Sequence, residues 1–415
     1  MRPAGRLVVL LVSAALPALL PAAARAGGYD TPMLYSARHM GMGGTAIGYV
    51  DEPSAIFHNP AGLAQIGHFS VTADTSLLLA RVRSTPAFFN ANDVRSEQTV
   101  APLGLLGGGV RLNETVSVGL GVYPIALAGA TYKYSGIEDK TRLVFLEASP
   151  AVALNLPGHV RLGGGYRVTY ANVERFSGTP AEPFLDFTMD GFNWKGFRVG
   201  AQWTPIPWLQ AGAVYRHKTV THVSNDSGIA AGVRYTDIET EFVLPSRMGG
   251  GLRADVWHLG LALDGEYAFN SQNGAHPLVG LPPGTPEMPA MRTAVPNIFN
   301  WTDEVTVRGG LELRFGFVPK LARLAARGGY IYDGKTTNAK YPSAFGTPPG
   351  PTRVITAGLG WKGNTWQVNT AFAHRTGSGA VTDPDTTSCR FCGYAGKLPY
   401  RIWVTGFYLD FSYGY

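Results

Sequence analysis

Charge is scarce in this sequence. Of 415 residues, 15% are Asp, Glu, Lys or Arg, against roughly 25% in soluble proteins, too few to clothe the surface of two or three soluble domains. Long apolar runs are also missing: beyond residue 26 no stretch approaches the ~18 residues that a spanning helix needs, which excludes a helical membrane protein. Cysteine is reduced to Cys389 and Cys392, so no second pair exists to complete a zinc site. Disorder is excluded by what is abundant, a 45% apolar fraction with 20 Phe, 19 Tyr and 8 Trp. With 53 Gly as well, a low-charge, Tyr-rich chain without spanning helices points to a membrane β-barrel.

The first residues read as an export signal. Arg2 and Arg6 precede an apolar stretch, Leu7 to Leu20, that ends in Pro21-Ala-Ala-Ala-Arg-Ala26. A basic start, an apolar core and a small-residue cleavage site mark residues 1–26 as a secretory signal peptide, and Pro17 and Pro21 argue against an anchor helix. Its removal leaves 32 basic against 29 acidic residues, a net charge of +3. With that near-neutral balance, and no basic run interleaved with aromatics, no nucleic-acid partner is expected.

Alternation dominates the remainder. Val305, Val307, Leu311, Leu313 and Phe315 fall on one parity, and Thr306, Arg308, Gly310, Glu312 and Arg314 on the other. The same two-residue period runs through Leu259–Phe269, Trp366–Phe372 and Trp403–Tyr415. Side chains of a strand alternate between faces. In an exported barrel the apolar face meets lipid and the polar face lines the lumen. Strand centres fall near residues 75, 105, 121, 149, 167, 198, 214, 248, 265, 310, 330, 356, 370 and 408. Short turns between them alternate with long links near 82–96, 129–140, 175–190, 224–238, 272–302, 336–350 and 377–399. Seven long and six short links predict fourteen strands with both barrel ends periplasmic. The final strand, ending at Tyr415, would engage the barrel-assembly machinery, and a monomer surrounded by outer-membrane lipid is expected.

Residues 27–67 break the pattern. They hold Ser36-Ala-Arg-His-Met-Gly-Met-Gly-Gly-Thr-Ala-Ile-Gly48 and Asp51-Glu-Pro-Ser-Ala-Ile-Phe-His-Asn-Pro-Ala-Gly-Leu63, a glycine-rich turn and an Asn-Pro break that predict compact irregular structure. Irregular backbone at membrane depth must be buried in protein or line water, so this segment is expected inside the barrel. The expected fold is therefore all-β: a 14-stranded antiparallel transmembrane barrel over 68–415, with an N-terminal hatch, or plug, over 27–67 inside the lumen.

These same stretches resemble the hatch signature of the FadL/TodX outer-membrane transporters, with Asn59-Pro60-Ala61 on the family's Asn-Pro-Ala motif. Tyr170–Gly178, Trp194–Gly200, Tyr215-Arg216, Leu244-Pro245 and the stretch Val307–His374 resemble it too. The resemblance implies passive uptake of hydrophobic compounds, long-chain fatty acids or similar hydrocarbons, without a cofactor and without enzymatic activity. It marks Gly41, Gly43, Gly44, Asn59, Pro60 and Ala61 as hatch and gating residues. The 272–302 link departs from the family, being long and apolar with six prolines; it serves either as a capture surface or as a rigid cap. A structural or adhesive surface barrel and a general polar porin are the competing functions.

Three further features carry chemistry. Gly41-Met-Gly-Gly-Thr-Ala46 fits the loose pattern G-x-G-x-x-A but lacks a βαβ setting. Cys389-Arg-Phe-Cys392, in an exported chain, reads as a local disulfide in the last long link. Inward-facing Arg161, Arg167, Arg198, Arg216, Lys218, Arg308 and Arg314 accompany Asp264, Glu266, Glu312 and Asp410. They either neutralise one another or include a base that holds a substrate carboxylate, with Arg175 and Arg216 as candidates. No metal site is expected. Finally, Pro124 sits amid a strand, where proline is confined to edges or bulges. It marks either an interface bulge or a lateral opening beside Gly119, Gly121, Tyr123 and Pro124. The resemblance, whose members kink the third strand, supports an opening that faces Asn59–Ala61.

Overall fold

The computed structural model describes residues 35–84, 94–284, 289–337, 350–380 and 399–415. The wall begins with β1 (Phe69–Ser84), a two-residue β2 (Val94–Arg95), β3 (Thr99–Arg111), β4 (Val116–Tyr134), β5 (Ile137–Leu156), β6 (Val160–Gly178) and β7 (Pro183–Ile206). Two interrupted strands follow. β8 (Leu209–Arg216) continues past His217-Lys218 into β9 (Thr219–Ala230), and β10 (Val233–Leu244) continues past Pro245-Ser246 into β11 (Arg247–Val256). Next come β12 (Leu259–Ala268), the short β13 (Leu278–Leu281) and β14 (Thr293–Val295), and β15 (Glu304–Arg314). The last are β16 (Leu324–Asp333), β17 (Thr352–Lys362), β18 (Trp366–Ala380) and β19 (Pro399–Gly414). With each interrupted pair counted once and β2, β13 and β14 as side pieces, fourteen antiparallel strands form the wall. It closes where β1 pairs with β19, from Ser70↔Gly414 to Arg83↔Arg401.

Alternation makes this an inside-out protein. Along β15, Glu304, Thr306, Arg308 and Glu312 are buried, whereas Val305, Leu311 and Leu313 are exposed. β19 repeats the arrangement, with Asp410 buried between exposed Leu409 and Phe411. A soluble fold would lose free energy with so much apolar surface in water; a lipid annulus removes that cost.

Three links expected to be long are instead continuous hairpins. β4 and β5 run into a tight turn at Ser135-Gly136, both with positive φ, and β9 and β10 do the same at Ala231-Gly232. Such two-residue turns match the twist of the strands they join. Between β6 and β7 only residues 179–182 intervene. Lys133, Glu138 and Lys140 are outward side chains of strands that project beyond the apolar belt. In 272–302, β13 pairs with β10, and β14 pairs with β13.

Residues 35–66 lie within this ring. They form two short helices, Ala37–Gly41 and Ala55–His58, and a 3-10 turn, Pro60–Gln65. The first helix packs on β16–β19, the second on β4 and β5, and the 3-10 turn on β4–β7. The wall's glycines let this backbone approach closely. A Cβ on Gly163 would lie 2.3 Å from the Pro60 and Ala61 backbone, and one on Gly310 would lie 2.1 Å from Met42 O.

Candidate functional site

The seam between β3 and β4 differs from its neighbours. Its ladder has six rungs, from Arg111↔Ser117 to Leu106↔Val122. Beyond Val122, β4 stays paired with β5, through a bulge at Ile125 between Pro124 and Ala126. β3 continues to Thr99, paired with β1. Among the described residues, Thr99–Leu105 and Tyr123–Ala130 therefore face each other without a ladder, until Glu97 N donates to Thr131 O at 2.8 Å. Each edge carries a proline, Pro102 and Pro124, and proline has no N–H to give to a neighbouring strand. Pro102 offered the same sequence signal as Pro124 and was missed.

Side chains rather than hydrogen bonds close this seam. Leu105, Tyr123, Ile125 and Ala126 are all buried. The Tyr35 hydroxyl donates to Pro124 O at 2.7 Å, and Tyr123 Oη donates to Glu147 Oε1 at 2.6 Å. The Phe57 ring stands edge-on to both tyrosines, with centroids 5.1 and 5.2 Å away. Ile56 occupies the space that side chains at Gly119 and Gly121 would take.

The residues facing the seam are therefore Tyr35, Ile56 and Phe57, and not Asn59–Ala61. The helix Ala55–His58 presents Ile56 and Phe57 to β4, and its end carries Asn59 to the far wall. There Asn59 Nδ2 donates to Ile47 O at 2.7 Å and Ala201 O at 3.0 Å, while Oδ1 accepts from Ala61 N at 3.2 Å. Asn59 thus caps the following 3-10 turn and fastens it to β7. Gly43 and Gly44 have φ of 67° and 73°, and Gly41 stands against Gly358. The amides after this turn are taken by protein: Asp264 Oδ2 accepts from Ala46 N at 2.8 Å and Ile47 N at 3.1 Å. The anion that the glycine pattern holds is the wall's own carboxylate.

Two buried histidines sit in the N-terminal segment. His58 Nε2 donates to the carbonyl oxygen of Tyr35 at 2.8 Å. Burial, then the charge of nearby His39, pushes His58 down to about 3. Glu52 is buried too, which raises a carboxyl, but His39 at 3.3 Å and hydrogen bonds from Ser54 overcome this and hold it at about 2.

The lumen has two characters. Facing β11–β19, charges are neutralised in clusters. Glu312 accepts from Arg253 at 2.6 Å and Arg327 at 2.7 Å, Glu266 lies 2.8 Å from Arg247 and 3.5 Å from Arg308, and Asp333 pairs with Arg375. Facing β4–β10, one hydrophobic cluster extends from Tyr35, Ile56 and Leu63 past Tyr123, Ile125 and Ala128 to Phe145, Val173, Leu185 and Phe242. The carboxylate of Glu147, held by Arg167 at 2.7 Å and Arg198 at 3.5 Å, lies beside this track at Tyr123.

At its outer end the track opens into a cavity of about 60 Å³. Val173, Leu185, Phe187, Met189 and Phe242 line it from the projecting strands, and Leu278 and Val295–Asn297 from the 272–302 segment. Phe299 and Trp301 of that segment are buried in the same apolar cluster. Arg175 is the one charged group in the lining, 3.2 Å from Asp139 and bonded to Thr141. Arg216 lies elsewhere, in a polar cavity with Arg198, Arg247, Arg308 and Glu266. Of the other expected inward bases, Arg161 is half-buried, Lys218 is exposed where β8 breaks from β9, and Arg314 is partly exposed beside Asp255. Cys389 and Cys392 lie outside the described residues.

No family model and no curated protein matches the chain. Solved structures do. A FadL homologue from Pseudomonas aeruginosa superposes with a TM-score of 0.72 at 14% identity, over 94% of this chain and 100% of that one. The toluene transporter TodX of Pseudomonas putida gives 0.67 at 15% identity, over 92% and 98%. The toluene transporter TbuX of Ralstonia pickettii gives 0.66 at 14% identity, over 93% and 99%. Across nearly its whole length, this chain has the fold of the FadL/TodX transporter barrels.

Proposed function

We propose that the protein is a bacterial outer-membrane channel for the passive uptake of hydrophobic compounds. The solute enters at the outer cavity, descends the apolar track and leaves sideways through the β3–β4 seam. The observation that carries this reading is the continuity of one buried apolar cluster from that cavity to the β3–β4 seam, where the ladder stops at Leu106↔Val122. Fold likeness to a FadL homologue and to toluene transporters supports it. Lateral exit also suits the physics, because delivery into periplasmic water would forfeit ~25 cal/mol per Å² of apolar surface. In this reading residues 35–66 act as the hatch, and displacement of Tyr35, Ile56 and Phe57 opens the seam.

The test is uptake of a labelled long-chain fatty acid and of toluene by cells carrying Ala128→Trp, which fills the track beside the seam. Leu127→Trp, which faces lipid, is the control, and heat-modifiable migration reports assembly. An assembled Ala128→Trp barrel should lose uptake while the control retains it; undiminished uptake would reject the lateral route. A polar porin would instead conduct ions and sugars in planar bilayers.

A further inference from the structure

Four consecutive strands each contribute one inward polar side chain to a row beside the seam. They are Tyr123 of β4, Glu147 of β5, Arg167 of β6 and Arg198 of β7, none more than 3% exposed. Tyr123 and Glu147 are register partners. Glu147 Oε1 accepts from the Tyr123 hydroxyl at 2.6 Å and lies 3.5 Å from Arg198 Nη2, and Oε2 accepts from Arg167 Nε at 2.7 Å. Arg198 alone in this row reaches beyond the wall. Its Nη1 donates both to Tyr123 Oη, at 2.9 Å, and to Ile56 O of the N-terminal segment, and its Cζ stands 5.7 Å from the centroid of the Phe57 ring.

These bonds close a ring around the seam. Pro124 O accepts from Tyr35 Oη at 2.7 Å, and Tyr35 O accepts from His58 Nε2 at 2.8 Å. His58 and Ile56 share one helix, and Ile56 O leads back through Arg198 to Tyr123, the neighbour of Pro124. The rest of the N-terminal segment is fastened elsewhere. Ser36 Oγ and Arg38 N donate to Asp410 of β19, Gly43 N to Thr356 of β17, and Ala46 N and Ile47 N to Asp264 of β12. Asn59 and Gln65 reach β7. Among the described residues, the polar wall group bonded to the helix Ala55–His58 is Arg198.

A guanidinium that neutralises a buried carboxylate is fixed in place, because withdrawing it would leave a charge unpaired. Such a donor, shared between the helix that stoppers the seam and the tyrosine that edges it, makes the two bonds form and break together. We propose that Arg198 is the positioning residue of the β3–β4 seam, latching the helix Ala55–His58 and Tyr123 into one unit that opens cooperatively. Glu147 and Arg167 hold the latch in register. Its purpose as a gate rests on the lateral-exit reading, whereas the coupling itself does not.

Hydrogen exchange of the purified full-length mature protein in lipid nanodiscs, read by mass spectrometry, tests the coupling. Tyr123→Phe removes a hydroxyl that bonds Glu147 and Arg198 and no residue of the helix. Through Arg198 it should nonetheless speed exchange about tenfold at residues 55–59, as well as at 123–130, the scale of a lost hydrogen bond to a charged group. Arg198→Met should do the same, the double variant should add nothing further, and β15–β18 should exchange as in wild type. Wild-type exchange at 55–59 in Tyr123→Phe, additive effects in the double variant, or acceleration spread equally over β15–β18 would overturn the proposal. Should Arg198→Met fail to assemble, Tyr123→Phe alone decides, by the criterion at 55–59. Uptake is scored separately: a loosened latch should raise the rate at saturating solute, and an unchanged or slower rate would overturn the gating role. Failure of the uptake reading would show differently, as wild-type barrels that take up neither fatty acid nor toluene, with the coupling still decided by exchange.

Discussion

The two halves of the lumen solve the same problem by opposite means. Against β11–β16, carboxylates and guanidiniums of the inward face neutralise one another, as in Glu312 between Arg253 and Arg327. Against β4–β10, apolar inward side chains, Phe145, Val173, Leu185 and Phe242 among them, join into one cluster that runs beside the pairs Glu147–Arg167 and Asp139–Arg175. A charged cluster is rigid and holds its geometry because an unpaired member is costly. An apolar track has no directional bonds to break, so a solute can slide along it. On the proposed uptake reading, the difference separates a scaffold half from a conduction half, and each can be perturbed alone.

The largest effect is expected from Val173→Asp, which places an unpaired carboxylate in the track. Uptake of apolar solutes should be abolished, as measured with labelled solute in cells that carry the assembled barrel. In the other half, Glu312→Leu leaves Arg253 and Arg327 facing each other and should destabilise the barrel by about 3–5 kcal/mol. Urea unfolding in lipid vesicles measures this loss, and uptake per assembled barrel should be unchanged. If Glu312→Leu stops uptake as Val173→Asp does, the division of labour is wrong.

Asn59→Ala removes the bonds to Ile47 O and Ala201 O and the cap on Ala61 N, and should cost about 1–3 kcal/mol. The loss should appear as faster protease access to residues 35–66, with the barrel intact. Arg175→Met sharpens the question of substrate. If the cavity holds a carboxylate against Arg175, fatty-acid affinity should fall about tenfold, the scale of a lost hydrogen bond to a charged group. Toluene uptake should not change. An equal effect on both solutes would leave Arg175 with a structural role beside Asp139 and Thr141.

Acid should loosen the N-terminal segment. His58 is held neutral well below its ordinary value, so the unfolded segment binds protons more readily, and stability falls as pH drops below about 6.5 towards 3. Glu52, held at about 2, adds a loss between its ordinary range and that value. Amide protection in residues 35–66 should therefore decline by up to tenfold per pH unit below about 6.5, corresponding to ~1.4 kcal/mol. Protection that is flat between pH 7 and 5 would contradict this.

Strand number and strand position were legible because lipid imposes one rule on every wall segment. Val305, Leu311 and Leu313 must be apolar wherever they meet hydrocarbon, and Glu304, Arg308 and Glu312 must turn inward. The rule stops at the edge of the belt. Beyond it the outward face meets water, so the apolar-out pattern ends, and the stretches 129–140 and 224–238, expected as long links, belong to long hairpins. Pro124 was readable because a missing N–H is a local property. The end of the ladder at Val122 was not, since it depends on where β3 runs before Leu106.

By itself the sequence determined the all-β class, the fourteen-strand count and the inside-out polarity, because each follows from a two-residue period and the solvent on either side. Tertiary structure alone decided which charges meet and which apolar side chains join. The track unites Tyr35, Phe145, Val173, Phe242 and Phe299 from five distant stretches of chain, and Arg175 enters its mouth only because the 272–302 segment folds back over β10. Contacts of that kind are set by barrel closure, which brings inward positions together across the lumen at separations no local period encodes.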